Sequence, residues 1–413
     1  ILWASEKDGW RHLYQVSLEG KPELLITKGD YDVIDLKYVD DKKGYVYYLA
    51  SPDNATQKYL YKTKLNGKGK NKLVSPESLV GSHDYSFSSN GKYAMHTFSN
   101  HYTPRAKEFI TVANHKALSE EESIVLNSKK SEKKATTEFF KIKTADNVEM
   151  DGWIVKPTNF DPKKKYPVVF YVYSEPAGAT VMDAFNIGRN SLYNGSMADD
   201  GYIYISLDNR GTPAPKGREW RKSIYRKIGI VNIRDQAMAA KEILKWDFVD
   251  AKRIAVWGWS GGGSATLNLL FQYPDIYKTG ISVAAVGNQL TYDNIYQERY
   301  MGLLEENEVN YITHAHAHHF QFQAGELIGL NRNAQTVTIS FQPLHNKDLP
   351  GYQQTLHYDI LIIAIGSISN NYDIPGTDKY CYYLDSSAEA KNFQQFLLNQ
   401  IIGQQQLDTV IVG

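Results

Sequence analysis

The sequence predicts a mixed architecture, in which an all-β region is followed by a region of alternating strands and helices. Residues 1–128 are rich in Tyr, Trp, Ser, Asp and Gly, and they contain short alternating runs, such as residues 45–49, between turn-forming clusters. From residue 137 to about residue 307, strand-like apolar runs alternate with amphipathic helix-like runs, which is typical of a parallel α/β domain. The mostly charged residues 129–136 predict a solvated linker between these two regions.

Composition limits the possible classes of function. The chain has 413 residues, enough for two or three domains and a large core. Its 46 Lys and Arg residues balance 46 Asp and Glu residues, so we expect no nucleic-acid partner. No apolar run is long enough to predict a transmembrane span, and the single cysteine, Cys381, excludes an internal disulfide. The first residues look like a strand already under way, so we expect the chain to begin inside a larger protein.

An internal repeat specifies the all-β region further. Residues 13–21 begin with Leu-Tyr and end with Gly-Lys, and residues 60–68 echo both features. A four-stranded blade of a β-propeller needs roughly 40 to 50 residues, which fits this spacing. Residues 86–93 would begin the next blade. We therefore predict a partial β-propeller of about three blades in residues 1–128.

The candidate nucleophile lies in Gly258-Trp259-Ser260-Gly261-Gly262. This Gly-x-Ser-x-Gly pattern follows a β-like run, residues 253–256, and precedes a helix-like run, residues 265–270, which is the context of a nucleophile elbow in an α/β-hydrolase. Gly258 and Gly262 would leave room for the sharp turn that exposes the Ser260 hydroxyl. The Gly261 N–H would face the oxyanion of a tetrahedral intermediate.

Three further motifs accompany the nucleophile in chain order. A buried strand, residues 166–173, ends in Ser174-Glu175-Pro176, and the run from residue 202 leads into Asp208-Asn209-Arg210-Gly211-Thr212. The fourth motif is Tyr296-Gln297-Glu298-Arg299-Tyr300-Met301-Gly302. Between the motifs, residues 233–245 predict an amphipathic helix and residues 281–286 a buried strand. With these motifs the chain resembles the prolyl oligopeptidase family of serine peptidases, and most closely its dipeptidyl peptidase IV-like branch.

The resemblance implies an activity and a site. The branch removes N-terminal dipeptides, or similarly short peptides, after proline, and in it Tyr173 would donate its hydroxyl to the oxyanion. Val286, Tyr292 and Tyr296 match residues that line the small pocket for proline, which as a rigid ring without an N–H suits an apolar pocket. The family commonly has tryptophan where Gln289 stands and tyrosine where Gly261 stands, so the size of the pocket is open. The resemblance also implies a propeller before the hydrolase domain, a peptide substrate, a possible homodimer, a periplasmic or cell-envelope location and no cofactor or metal.

The resemblance stops at about residue 306, before the positions where the Asp and His of a catalytic triad are expected. The order in α/β-hydrolases is Ser, Asp and His, but the stretch expected to supply the acid, residues 335–342, contains none. Asp348 and His357 keep the order, yet they lie too close in sequence for the intervening helix and strand. We therefore expect a truncated hydrolase domain, residues 137–307, whose peptidase activity is impaired because the Asp and His are missing.

Residues 308–413 resemble a different family. The apolar run 360–365 followed by Gly366-Ser367, and the terminal strand before Gly413, look like part of a type II NADH dehydrogenase, a two-dinucleotide-binding flavoprotein. Neither glycine fingerprint for a dinucleotide is complete, so we expect no FAD or NADH binding by this segment alone. The alternating histidines of residues 314–319 suggest a metal, but no acid or cysteine accompanies them. The alternatives to a peptidase are thus a fragment of an FAD-dependent NADH:quinone oxidoreductase and an inactive propeller-bearing binding protein.

Overall fold

A computed structural model of the chain describes most of the first three hundred residues and three strands beyond them. The described residues are 1–128, 137–190, 192–287, 292–302, 326–331, 333–341, 351–357 and 395. The chain divides into two compact units, Ile1–Gln323 and Ala324–Gly413. Among the described residues, no helix has the length and apolarity needed to cross a bilayer. The predicted linker 129–136, the histidines of residues 314–319, Gln289 and Cys381 lie outside the described residues.

The first described 128 residues form three consecutive antiparallel sheets and one short helix. The strands are β1 (Leu2–Ser5), β2 (His12–Gln15) and β3 (Leu24–Leu25) in the first sheet; β4 (Val33–Asp40), β5 (Tyr45–Ala50), β6 (Tyr59–Lys64) and β7 (Lys72–Leu73) in the second; and β8 (Ser82–Phe87), β9 (Tyr93–Ser99), β10 (Ala106–Thr111) and β11 (Lys116–Ala117) in the third. The helix α1 spans Ile124–Ser128. The echoed segments occupy the corresponding strands β2 and β6, each followed by a two-residue strand. The three sheets lie where the blades were predicted, and in the described residues the first has three strands and the other two have four.

Alternation along β5 explains why these sheets pack face to face. Val46 and Tyr48 belong to one buried cluster, which also contains Leu13 of the first sheet. Tyr47 and Leu49 point the other way and belong to a second cluster, with Tyr85 of the third sheet. Because successive side chains of a strand face opposite sides, a strand that is apolar at every position lies between two other layers.

The α/β region contains a six-stranded mixed sheet. Its strands are β12 (Thr137–Lys143), β13 (Glu149–Val155), β14 (Tyr166–Tyr171), β15 (Ile203–Leu207), β16 (Val249–Trp259) and β17 (Thr279–Val283), in the order β12-β13-β15-β14-β16-β17. The last four in that order pair in parallel, and the first two pair antiparallel. The helices are α2 (Gly217–Lys222), α3 (Val231–Ile243), α4 (Gly261–Gln272) and α5 (Asn294–Met301). The predicted strands at residues 166 and 202 and the amphipathic helix, here α3, are confirmed within a few residues at their ends.

The prediction of a buried strand at residues 281–286 is wrong. Strand β17 ends at Val283, and Ile281 is 62% exposed. Among the described strands, β17 pairs only with β16, so it forms an edge of the sheet. Apolar composition identified the strand but did not show which of its faces is covered.

A buried ion cluster joins the first sheet region to helix α2. The Arg221 guanidinium binds Asp32 through Nη1 at 2.5 Å and Nη2 at 3.0 Å, and it binds Glu6 at 2.7 Å. Asp32 also accepts hydrogen bonds from the backbone N–H groups of Arg11 and Gly217. Burial alone would raise the pKa of the Asp32 carboxyl, but the Arg221 hydrogen bond, the backbone donors and the nearby positive charge hold it below its ordinary value. The cluster thus fixes the all-β region against the α/β region.

The second unit contains, in its described part, a three-stranded antiparallel sheet. Its strands are β18 (Glu326–Asn331), β19 (Thr336–Phe341) and β20 (Tyr352–His357), paired in chain order. Most residues that carry the flavoprotein resemblance, from 358 onward, lie outside the described residues. That resemblance stays a prediction.

We expect Arg221→Ala to lower the free energy of unfolding by about 3–5 kcal/mol at pH 7, because it leaves Asp32 as an unpaired buried carboxylate. Arg253→Ala removes an exposed pair with Asp250 and should cost less than about 1 kcal/mol. An acid with a lowered pKa contributes stability that is present above its ordinary pKa and is lost as pH falls through the folded pKa, so the Arg221→Ala deficit should shrink below about pH 4. Urea unfolding at several pH values measures these differences. Equal costs for the two variants would contradict the role of the cluster.

Candidate active site

Ser260 lies at a strained turn between β16 and α4. Its backbone has φ +56° and ψ −119°, a conformation that costs energy for a residue with a side chain. The turn is held on both sides, because the Ser260 N–H donates to Val283 O at 2.9 Å and the Ser260 carbonyl accepts from the Ser264 N–H at 3.0 Å. The structure therefore contains the strand, sharp turn and helix that the Gly-x-Ser-x-Gly pattern predicts.

The glycines beside Ser260 are required by close backbone contacts. A Cβ on Gly258 would overlap the carbonyl oxygens of Val172 and Gly262, and a Cβ on Gly262 would overlap the carbonyl oxygen of Val172. These are backbone atoms of helix α4 and of the residue directly after β14, so they cannot move aside as a flexible side chain could. The end of β14 thus packs directly onto the turn that presents Ser260.

The first turn of α4 provides hydrogen-bond donors next to the serine. Gly261 is the first residue of the helix, where backbone N–H groups have no partner within the helix. The helix dipole adds partial positive charge at this end. A carbonyl oxygen that becomes negative during attack by Ser260 would therefore be stabilised by the Gly261 N–H.

The loop after β14 is anchored by the motif that begins at Asp208. The Asp208 carboxyl accepts hydrogen bonds from the backbone N–H groups of Thr180 at 2.8 Å and Val181 at 3.1 Å. The Asn209 side chain donates to the Ser174 carbonyl at 3.1 Å, and Ser174 itself has φ +62°. Burial raises the pKa of Asp208 to about 6. The motif therefore acts as a scaffold that positions Tyr173 and the residues after it.

A group of tyrosines surrounds a buried carboxyl beside the serine. Helix α5 begins at the Asp293 side chain, which accepts from the Tyr296 N–H at 2.8 Å. The Tyr296 hydroxyl donates to Glu175 Oε2 at 2.6 Å, and its ring lies 5.6 Å from that of Tyr292 and 4.8 Å from that of Tyr300. Burial, with the nearby Glu175 charge, raises the pKa values of Tyr173 and Tyr296. Both hydroxyls are therefore protonated donors near neutral pH.

The predicted site residues fall into two connected groups. Tyr173 and Tyr296 lie near Glu175, which contacts Gly261, and the Tyr292 ring packs against that of Tyr296. Val286 is bound to the first turn of α4, because its N–H donates to Ser264 Oγ at 3.0 Å. Sequence analysis assigned no role to Glu175. Glu175 lies inside one of the four motifs. The sequence signal that could have singled it out is an acidic residue at the end of a buried strand, directly before a proline.

Among the described residues, no side chain is placed to act as a general base for Ser260. No described side chain forms a hydrogen bond with Ser260 Oγ. The described histidines of the first unit all lie within residues 1–128, and each has a hydrogen-bond partner other than Ser260. They are His12, His83, His96 and His115, with partners in the same region, and His101, which is paired with Asp183. The expectation that the triad Asp and His are missing stays a prediction.

One described group of side chains has the spacing of metal ligands. Ligand atoms of His96, Glu108 and His115 lie within 4.8 Å of one another in the third sheet. His96 already uses both ring nitrogens, bonding to Glu108 Oε1 at 2.7 Å and to His83 Nδ1 at 2.9 Å. Among the described residues, His115 Nδ1 is buried without a partner. Whichever ring nitrogen of His96 bound a metal, one of these hydrogen bonds would have to break, so we interpret the group as a hydrogen-bonded network.

The protons in this network of His83, His96 and Glu108 can be assigned from its two ends, which are the Leu79 carbonyl and the Ile124 N–H. The Leu79 carbonyl can only accept, so His83 Nε2 donates to it and His83 Nδ1 accepts from His96 Nε2. His96 Nδ1 then accepts, and the donor to it must be a protonated Glu108 carboxyl, whose other oxygen accepts from the Ile124 N–H. Burial lowers the pKa values of His83 and His96 to about 3 and raises that of Glu108, which agrees with a neutral network.

Comparisons with known proteins match the first three quarters of the chain. The profile of the prolyl oligopeptidase family matches residues 191–328, and that of the dipeptidyl peptidase IV N-terminal region matches residues 1–105. Dipeptidyl peptidase 4 of Trichophyton equinum is 32% identical over 309 residues, which are 74% of this chain and 40% of the relative. Probable dipeptidyl-aminopeptidase B of Coccidioides posadasii is 34% identical over 311 residues, 74% of this chain and 33% of the relative.

A solved structure gives the same result. The crystal structure of Porphyromonas gingivalis dipeptidyl peptidase 4 superposes with a TM-score of 0.66 at 34% identity, covering 76% of this chain and 43% of that chain. The propeller followed by an α/β-hydrolase domain, predicted from sequence, fits these matches. The chain spans about 40% of the length of the first curated relative.

We expect Gly262→Ala to lower the free energy of unfolding by roughly 1–3 kcal/mol, because the methyl group overlaps the Val172 carbonyl and forces the backbone apart. Gly287→Ala is the matched control, since a Cβ there meets nothing within 4 Å. It should change stability by less than about 0.5 kcal/mol. Urea denaturation of both variants measures the difference. Equal stability of the two would contradict the close contact between β14 and the turn at Ser260.

We expect Glu108→Gln to leave stability at pH 7 within about 1 kcal/mol of the wild type, because the amide can donate to His96 and accept from Ile124 as the protonated carboxyl does. Glu108→Ala should cost roughly 2–4 kcal/mol, since it leaves buried groups unpaired and a cavity. An acid with a raised pKa contributes stability that is lost as pH rises through the folded pKa. The Gln variant should therefore gain stability relative to the wild type as pH rises above about 4.5.

Thermal or urea unfolding between pH 4.5 and pH 8 tests this proton arrangement. If Glu108 is instead ionised beside an imidazolium of His96, the Gln variant breaks a buried ion pair and should lose about 3–5 kcal/mol. That loss would contradict the neutral network.

Proposed function

We propose that the chain is a serine peptidase of the prolyl oligopeptidase family, similar to its dipeptidyl peptidase IV-like branch, and that it carries the nucleophile, oxyanion site and substrate pocket of such an enzyme. The matches to the family and to dipeptidyl peptidases support this proposal. The observation that supports this most is Ser260 at the strained turn, with a helix N-terminus behind it. Strain of this kind persists only where the surrounding structure enforces it, and here backbone contacts on both sides do so.

The reaction is acyl transfer through Ser260. The Ser260 oxygen attacks the carbonyl carbon of the substrate and its proton passes to a base, so that a tetrahedral oxyanion forms. The Gly261 N–H and the Tyr173 hydroxyl donate to that oxyanion. The raised pKa of Tyr173 suits this role, because only the protonated phenol is a donor. Departure of the amine leaves an acyl-enzyme on Ser260, which water then hydrolyses.

The substrate we propose is the N-terminus of a peptide, from which a dipeptide or similarly short peptide is released after proline. Relatives that are 30–34% identical are named dipeptidyl peptidase 4 and dipeptidyl-aminopeptidase B, which supports this class. Tyr292 and Tyr296 form edge-to-face rings beside Glu175, as in a wall of a small ring-shaped pocket. Val286, bound to Ser264, would complete the pocket near the nucleophile.

The rate of peptide cleavage that we expect from this chain depends on whether it has a catalytic base. If the triad Asp and His are missing, as the sequence predicts, turnover falls by roughly 10⁴ to 10⁶ and only oxyanion and binding effects remain. A catalytically dead binding protein is then the alternative function, and intact folding with peptide binding but no acylation would favour it. No observation on the described residues favours the oxidoreductase alternative.

We expect a fluorophosphonate probe to label Ser260 faster than any other serine, because the oxyanion donors stabilise the addition even if a missing base makes the reaction slow. Ser260→Ala should abolish labelling, whereas Ser88→Ala, a control in the exposed turn between β8 and β9, should leave it unchanged. Peptide mapping by mass spectrometry identifies the labelled residue. Labelling at another serine, or cleavage of Gly-Pro anilides that is undiminished in Ser260→Ala, would contradict the proposed function.

A further inference from the structure

The Glu175 carboxyl lies in the space beside the residue that follows the nucleophile. A Cβ built on Gly261 would lie 2.5 Å from Glu175 Oε2 and 2.9 Å from Oε1, closer than Cβ atoms approach other heavy atoms in proteins. Glu175 is itself buried, with 5% of its surface exposed. Position 261 therefore has no room for a side chain, because a buried carboxyl takes that space.

One oxygen of this carboxyl can still accept a hydrogen bond. Oε2 accepts from the Tyr296 hydroxyl at 2.6 Å, whereas Oε1 has no hydrogen-bond partner in the described part of the chain. In that part, the one enclosed side-chain atom without a partner is His115 Nδ1, so Glu175 Oε1 is not enclosed and can be reached from outside. Burial raises the pKa of Glu175 above its ordinary value. A hydrogen-bond donor next to Oε1 would stabilise the carboxylate.

The loop after β14 holds the carboxyl in place. Ser174, the preceding residue, is buried with φ +62°, and its carbonyl and hydroxyl oxygens accept from the side chains of Asn209 and Asn232. The Gly178 N–H donates to the Glu175 carbonyl at 3.4 Å. Glu175 therefore cannot turn toward solvent without breaking the anchored loop. A carboxyl that is kept where its charge is costly is more typical of functional sites than of the rest of a protein.

An unsubstituted proline ring does not satisfy this carboxyl. Glu175 bonds to Tyr296, whose ring packs with that of Tyr292 in the pocket that the proposed function assigns to proline. Within a peptide, proline has no N–H, and its ring presents only CH groups. Such a ring would cover Oε1 and exclude water from it without replacing the hydrogen bond, which weakens binding. A proline ring that carries a donor would avoid this loss.

We propose that Glu175 is a specificity-determining residue, which accepts a hydrogen bond from the ring hydroxyl of 4-hydroxyproline as the substrate residue before the cleaved bond. This inference rests on the proposed function. There, the Gly261 N–H faces the carbonyl under attack, and C4 of the ring is three bonds from that carbonyl carbon, within roughly 4 Å at bond lengths of about 1.5 Å. A hydroxyl on C4 thus reaches a carboxyl that lies against Gly261. It donates to Oε1 while Tyr296 donates to Oε2.

The experiment measures binding to the Ser260→Ala variant of the full chain, in which Ser260 cannot hydrolyse the ligand. The ligands are Gly-4-hydroxyproline amide and Gly-4-fluoroproline amide, each in its 4R and 4S forms. Fluorine takes the position of the hydroxyl but has no proton to donate. We expect at least one hydroxyl form to bind about tenfold more tightly than its fluorine counterpart at pH 7.5, as one charge-assisted hydrogen bond allows. Isothermal titration calorimetry gives the dissociation constants.

A variant without an acceptor at position 175 should lose this preference. Glu175→Met, made in the same background, keeps nearly the same side-chain volume, so it should still bind the fluoroproline ligand and should reduce the hydroxyl preference to less than about twofold. Glu138→Met is the matched control, because Glu138 is exposed and lies on the far edge strand β12. That variant should retain the preference.

Two results would overturn the proposal directly. These are equal binding of the hydroxyl and fluorine ligands to the Ser260→Ala variant, and a hydroxyl preference that is unchanged in Glu175→Met. If Glu175→Met binds neither ligand, Glu175→Gln decides, because it keeps the shape of the side chain and loses the charge. The preference should then fall to about threefold or less, and an unchanged preference would overturn the proposal. Binding that depends on Glu175 and is lost on acetylation of the ligand amine, without a hydroxyl preference, would assign the carboxyl to the N-terminus instead.

The two proposals fail separately. If Ser260 is labelled by fluorophosphonate and the amides bind without a hydroxyl preference, the specificity role of Glu175 is wrong and the peptidase function stands. If Ser260 is not labelled but the hydroxyl preference is present and depends on Glu175, the pocket is real and the peptidase function is wrong.

Discussion

The contact between the carbonyl of Val172 and the backbone at Gly258 and Gly262 is the constraint on which the site depends. It requires glycine at both positions, and it places the end of β14 within van der Waals distance of the turn that presents Ser260. The parallel pairing of β14 with β16, extended by the Val172 N–H donating to Trp257 O at 3.0 Å, sets this approach. As a result, the residues directly after Val172 lie beside the nucleophile, and these include Tyr173 and Glu175.

Polar scaffolding behind the loop makes this arrangement rigid. Gln236 on α3 donates to the carbonyl of Leu207 and to the Asn209 side chain, and Asn209 in turn holds the carbonyl of Ser174. These groups are buried and all have partners, so the network specifies one loop conformation rather than several. The four sequence motifs therefore have different structural roles. The motifs at Ser260 and at Tyr296 line the proposed site. A third motif carries Glu175 and Tyr173, the proposed oxyanion donor, and the Asp208 motif supports the others from behind.

Much of the fold could be predicted from the sequence because its signals are local. Glycine spacing around Ser260 predicted the turn, the echo of residues 13–21 predicted the blades, and the apolar period of α3 predicted a helix. Other features depend on contacts that no local pattern shows. Arg221 and Asp32 are 189 residues apart, the exposed face of Ile281 depends on where the sheet ends, and a single glutamate in a loop gave no sign that it would lie against Gly261.

The most direct test of the account is formation of an acyl-enzyme on Ser260. A p-nitrophenyl ester of Gly-Pro acylates a serine without needing a proton for its leaving group, so it reports on the nucleophile and oxyanion site even if the base is missing. Intact-protein mass spectrometry should show one Gly-Pro group per chain, located at Ser260 by peptide mapping. If the base is missing, as the sequence predicts, the Gly-Pro group should persist, because deacylation is then slow. Absence of acylation under conditions where the protein is folded, or acylation of a residue other than Ser260, would contradict the account.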